Sequence, residues 1–190
     1  MAARQGARAC LRARPGVLGE SMPTEVLDLQ TLLDRLPRQG RLLGLDLGTK
    51  TIGIAVSDIE RRFAGPLETI RRVKYSQDVA RLTELAKKHE VHALVIGLPL
   101  NMDGSEGPRV QATRAFVRNL TNFISLPVAY WDERLSTAAV TRSLIEQDAS
   151  RAKRAEVVDR MAAAYILQGA LDRMARMAQE KNPSSEDEGF

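Results

Sequence analysis

The segment Leu43–Asp58 constrains the fold more than any other stretch of the chain. It reads LGLDLGTKTIGIAVSD, an apolar run ending near Asp46, a short turn, and a second apolar run. Two such runs separated by Gly48-Thr49-Lys50 predict strands over 41–47 and 51–57 joined as a hairpin. A carboxylate at the rim of an apolar core is costly unless it is paired or holds a cation. Gly48 and Gly53 keep the backbone around Asp46 clear of side chains, so a phosphate or metal ion can approach. The segment reads as a place where phosphate is handled.

The remaining pattern supplies layers around that hairpin. A third strand is expected near 66–73 and a helix over 78–89, where Val79, Leu82, Leu85 and Ala86 share a face. Val91–Gly97 is almost continuously apolar, as a central strand covered on both faces should be. A loop over 98–105, a helix over 109–124 and a strand over 127–132 follow. Ser136 is expected to cap a helix reaching Gln147, residues 148–155 to form a polar, basic and mobile link, and Val157–Met177 to form a long helix. Upstream, 24–36 fits a short helix capped by Thr24 and ended by Pro37 and Gly40. This order predicts an α/β fold with a mixed central sheet flanked by helices. The expected domain is 41–181, preceded by a partly disordered extension over 1–40 and followed by a disordered acidic tail over 182–190.

Composition narrows the function classes. Aromatic residues are only 4% of the chain, which argues for an aliphatic core and against a protein that stacks bases on many rings. The formal charge of +4 suits a nucleic-acid partner without requiring one. Cys10 is the only cysteine, so there is no intramolecular disulfide and no cysteine zinc site, and a reducing compartment fits. No apolar run is long enough to span a membrane. Residues 1–19 hold Arg4, Arg8, Arg12 and Arg14 with no acidic residue and no serine. They read as a translated leader before a start at Met22, or a plain disordered arm, in preference to an organellar transit peptide.

Three acidic positions fall at the ends of expected elements: Asp46, the pair Asp132-Glu133, and Asp159 in the first turn of the last helix. Parallel central strands would gather the first two at one sheet edge, where ligands commonly bind in α/β sheets. Three carboxylates suit Mg²⁺ or Mn²⁺, not zinc. Two such ions about 3.5–4 Å apart can activate water and steady a leaving oxygen in phosphodiester hydrolysis. Each acid also has a bland role. Asp46 could form a turn, Asp159 could answer a helix dipole, and Asp132-Glu133-Arg134 could be an internal ion pair. His89, His92, Trp131 and the Met161–Met177 stripe read as structural.

Four segments together resemble the YqgF/RuvX family: Asp46–Ala55 (DLGTKTIGIA), Gly97–Gly104 (GLPLNMDG), Asp132–Thr137 (DERLST), and Val158-Asp159 followed by Ala162-Ala163 and Ile166-Leu167. They occur in the family's order over about 41–175. The resemblance implies an RNase H-like fold related to Holliday junction resolvases. It implies a nuclease maturing the 5′ end of pre-16S rRNA in the bacterial cytoplasm, acting on a structured rRNA precursor as a monomer or homodimer. Asp46 and Asp159 carry over as metal-binding catalytic acids. Asp132 and Glu133 both match the third position, and strand register decides between them.

Lys50, Asn101, Arg134 and Thr137 lie in the matching segments and are candidates for contact with substrate. The basic run Arg151, Lys153 and Arg154 is a candidate for holding the phosphate backbone. A DNA junction resolvase, which must dimerise to cut two strands, is the nearest alternative. A non-catalytic nucleic-acid-binding, transcription-associated factor is another. An actin-like sugar kinase or ATPase shares the Asp-x-Gly-Thr loop but needs a duplicated domain, for which the chain is too short.

Overall fold

The computed structural model describes residues 25–135 and 153–181, with side chains from 158 onward in the second segment. Six strands form one sheet: β1 (Val26–Leu27), β2 (Arg41–Leu47), β3 (Thr51–Ser57), β4 (Ala64–Arg71), β5 (Val91–Leu98) and β6 (Val128–Asp132). Their spatial order is β1-β6-β5-β2-β3-β4. β2, β3 and β4 are antiparallel neighbours, whereas β5 and β6 run parallel to β2. An antiparallel meander continued by two parallel strands is the topology of an RNase H-like sheet, as the resemblance implies. Helices α1 (Leu29–Arg35) and α4 (Lys153–Lys181) pack on one face, α2 (Tyr75–Lys88) and α3 (Pro108–Leu120) on the other.

The two strands of the opening hairpin have the bounds expected from sequence. The third begins two residues early, at Ala64, with Pro66 inside it. Proline is tolerated there because β4 is an edge strand and its pairing with β3 is irregular between Ile54 and Ala55. The helix expected over 78–89 starts at Tyr75, and its buried carboxylate Asp78 lies within the first turn.

The short upstream helix departs further from expectation. It starts at Leu29, and its N-cap is Asp28, not Thr24. The Asp28 carboxylate accepts hydrogen bonds from the Thr31 amide at 2.9 Å and hydroxyl at 2.6 Å. These bonds hold the Asp28 carboxyl below its ordinary pKa. Val26 and Leu27, expected in that helix, instead pair with Val128 and Ala129 as the parallel edge strand. Lys153–Ala155, expected in a mobile link, form the start of α4. Lys, Arg and Ala are good helix formers, and polarity alone does not break a helix. The helix expected over 136–147 lies outside the described residues, as do Thr137 and Arg151.

The two cores differ in grain. Leu43, Leu45, Ile52, Ile54, Leu94 and Ile96 meet Leu82, Leu85, Phe116 and Leu120 of α2 and α3. The opposite face carries Gly44, Gly53, Ala55, Val95 and Gly97, and receives Ala163, Ile166, Leu167 and Ala170 of α4. A Cβ on Gly44 would lie 2.6 Å from the Leu167 Cβ and 2.9 Å from the Ala163 carbonyl oxygen. The helix can therefore rest almost directly on the strands.

Candidate active site

Asp46 is the penultimate residue of β2 and only 4% exposed. Its register partner on β3 is Gly53, and directly paired residues project to the same face of a sheet. A Cβ on Gly53 would overlap the backbone carbonyl of Asp159. α4 thus crosses β3 beside Asp46, and Asp159, in the second turn of that helix and not in the first as expected because the helix begins at Lys153, sits on the face to which the Asp46 carboxylate points. A glycine is required at position 53 because a helix backbone occupies the space of its side chain.

The structure separates the two acids at the end of β6. Val128 and Tyr130 belong to the α2/α3 core, so strand alternation puts Asp132 on that side. Trp131 belongs to the α4 side, its ring 2.9 Å from where a Cβ of Gly169 would stand. Glu133, in the 3-10 turn Glu133–Leu135, returns to the α4 side. Its Oε1 lies 2.6 Å from where a Cβ of Gly97 would be. β5 lies between β6 and β2, so the two outer strands are about 10 Å apart. Glu133 extends over β5 into that gap because Gly97 has no side chain. Asp46, Glu133 and the Asp159 backbone therefore share one face at one end of the sheet.

Asp132 is engaged elsewhere. Its Oδ2 accepts from Arg134 Nη2 at 2.6 Å, and both carboxylate oxygens lie 3.0 Å from Arg134 Nε. The Arg134 amide also donates to Oδ1 at 3.0 Å. These hydrogen bonds hold the Asp132 carboxyl below its usual range and push the Arg134 guanidinium up. Arg134 Nη1 comes within 3.3 Å of the Cβ position of Gly104, whose φ of +86° closes the loop after β5. In that loop the Asn101 Nδ2 donates to Ser105 Oγ at 2.8 Å, and Ser105 donates through its amide and hydroxyl to Asp103. Asn101 thus shapes the turn, and the Asp132–Arg134 pair stands under it.

Lys50 is exposed at the tip of the β2–β3 turn. Arg72, at the end of β4, braces that turn. Its Nη1 donates to the Gly48 carbonyl at 2.7 Å, its amide to the Lys50 carbonyl at 2.9 Å, and its guanidinium lies over the Phe116 ring at 5.6 Å. Lys153 and Arg154 lie in the first turn of α4. Sequence reasoning did not foresee the brace. Nor did it foresee Gly97 as the seat of Glu133, although a glycine ending an apolar strand signals a close approach.

Among the described residues, no three His, Cys, Asp or Glu side chains are gathered closely enough to hold a metal ion as they stand. The donor chemistry nevertheless fits a hard divalent cation, since Asp46 and Glu133 present carboxylate oxygens on the face of the sheet that α4 crosses at Asp159.

The model of the family described as RuvX, Holliday junction resolvase, matches residues 40–173. A protein of Methylocella silvestris is 67% identical over 82% of this chain and 97% of its own length. One of Beijerinckia indica is 67% identical over 81% and 93%. Both carry the provisional name of pre-16S rRNA nuclease. The solved RuvC of Thermus thermophilus aligns with a TM-score of 0.45 and 16% identity, covering 71% of this chain and 96% of that one. The class is that of an RNase H-like nuclease, a hydrolase. Within it, the chain belongs to the RuvX family. Among the described residues no helix is long and apolar enough to cross a membrane.

Proposed function

We propose that this chain is a divalent-metal-dependent endonuclease that matures the 5′ end of pre-16S rRNA in the bacterial cytoplasm. The observation that carries the reading is the convergence of Asp46, Glu133 and the α4 backbone at Asp159 on one glycine-cleared face. Asp46, Glu133 and Asp159 would hold Mg²⁺ or Mn²⁺, and Asp132 is released from that role by its bonds to Arg134. The bound metal would supply Lewis acidity, activating a water and stabilising the departing oxygen. The protein's own part is to hold the acids in place and to bind the backbone. Asp46, buried at the base, fixes the site on a rigid strand. Glu133 closes it from the β6 side, and Lys50, Arg151, Lys153 and Arg154 engage phosphates. Arg134 and Asn101 hold the loop between β5 and α3 that rims the site, and Thr137 follows the turn carrying Glu133.

The substrate is inferred from the names of relatives 67% identical to this chain. The description of the family model favours a second reading, resolution of DNA junctions by a pair of subunits. Cleavage of a precursor rRNA and a four-way DNA junction, compared in parallel with Mg²⁺, Mn²⁺ or EDTA, separates the two. Metal-dependent RNA cutting lost in Asp46→Asn is the expected result. Selective junction cutting would replace it with the resolvase. Binding without cutting of either would favour a non-catalytic factor.

A further inference from the structure

We propose that Met102, at the tip of the loop between β5 and α3, lies against the face of an unpaired base in the bound strand beside the acids. This inference rests on the nuclease reading above and adds which side chain meets a base. The loop leaves the sheet at the end that carries Asp46. β5 runs parallel to β2 with Ile96 opposite Leu45, the residue before Asp46, and ends at Leu98. Leu98 is in register with Asp132, the residue before Glu133.

The tip of the loop is firmly held. Asn101–Gly104 is a four-residue turn closed by the Gly104 amide, which donates to the Asn101 carbonyl at 2.8 Å. The Asn101 amide donates to the Ser105 carbonyl at 3.1 Å, and the side chains of Asn101, Asp103 and Ser105 are bonded to one another. Arg134 supports the turn at Gly104. Met102, in the second place of that turn, is left 90% exposed, more than any other large apolar residue among those described. Leu135, 70% exposed, follows Arg134 in the turn that carries Glu133. Two uncovered apolar side chains thus stand on the two segments that Arg134 brings together. The charge of the loop selects what they meet. Residues 99–107 include Asp103 and Glu106 and no cation, so a phosphate is disfavoured there. The face of a base is uncharged, and a thioether makes favourable contacts with aromatic rings. Methionine is among the apolar side chains that proteins insert between bases. A base stacked in a helix has both faces covered, so the nucleotide that offers a face is an unpaired one. A turn already fixed loses little freedom on binding, which preserves the gain from such a contact.

The test is a double-mutant cycle between side chain and base, read by fluorescence anisotropy. The parent is the full chain carrying Glu133→Gln, which leaves the strand uncut. A labelled precursor RNA and a four-way DNA junction are compared first. The one bound more tightly is then remade with a single abasic sugar at each successive position. Met102→Ala is expected to weaken binding of the intact strand by about fivefold. The slope of log K against log salt should not change, because no charge is removed. Met102→Leu should restore most of the loss. Phe63→Ala, at a residue 72% exposed before β4 at the opposite end of the sheet, should cause none. Thermal unfolding should be the same in all of them. At one abasic position, or two adjacent ones, the loss caused by Met102→Ala should vanish. A loss that persists at every abasic position, or no loss in Met102→Ala, overturns the proposal while the nuclease reading stands. Failure of the parent to bind either nucleic acid overturns that reading, and the proposal with it.

Discussion

The two faces of the sheet are built to different rules. On the α2/α3 face, large aliphatic side chains interdigitate and keep the helices at a distance. On the α4 face, Gly44, Gly53 and Gly97 remove side chains where the helix or Glu133 must come close. The first face gains stability from buried volume. The second gives up side-chain volume so that the α4 backbone and the Glu133 carboxylate can lie close against the strands. Burial of apolar area is stabilising in proportion to its extent, so the coarse face should carry the fold and the fine face the chemistry.

Mutations can break this division of labour, and the largest effect should come at its centre. Asp46→Asn should lower single-turnover cleavage by more than about a thousandfold, some 4 kcal/mol of transition-state stabilisation, with little change in melting temperature. Retention of activity would remove Asp46 from the chemistry. Leu94→Ala, in the α2/α3 core at 1% exposure, should cost about 3 kcal/mol in denaturant unfolding while the folded fraction still cuts normally. Gly97→Ala should reverse that pattern. It forces Glu133 and Ile166 aside, for a cost of about 2 kcal/mol in stability and a larger loss in cleavage. If Gly97→Ala cut normally, Glu133 would not need its seat.

The neighbouring acids sharpen the contrast between faces. Glu133→Gln should approach the defect of Asp46→Asn. Asp132→Asn should lower cleavage by only about tenfold, since it acts through Arg134 and the loop, as partners one step removed from the chemistry do. Equal defects would mean that both acids reach the metal. The smallest effect is a pH dependence. Hydrogen bonding to Arg134 lowers the Asp132 pKa in the folded state. The stabilisation is therefore fully present above the ordinary carboxyl range and lost as pH falls through the lowered value. The pair is partly exposed, at 34% and 20%, so solvent screening limits it to less than about 1 kcal/mol. Melting curves of wild type and Asp132→Asn should differ near neutrality and converge in acid.

The hairpin, the central strand and the three acidic positions were legible in the sequence because each is a local pattern. The apolar run of Val91–Gly97 marks burial on both faces, and turn residues mark the ends of β2 and β3. The start of α1 was misread because Val26 and Leu27 fit a helical spacing as well as a strand. Only the presence of β6 beside them decides for the strand. Pro66 hid the start of β4 for a similar reason, since its tolerance depends on an edge position that no local pattern announces.

The sequence by itself determined the hairpin, the central strand and which acids are available, because these follow from residue type and short-range periodicity, while four of its segments together carried the resemblance to the family. Tertiary structure alone decided which of Asp132 and Glu133 turns to the face of the sheet that carries Asp46. That choice depends on the register of β6 against β5 and on the missing side chain of Gly97, one strand away. It also decided that Arg72 braces the turn of Lys50, residues 22 positions apart in the chain and joined only through the pairing of β3 with β4. Both are contacts between segments distant in sequence, and their geometry exists only once the sheet has formed.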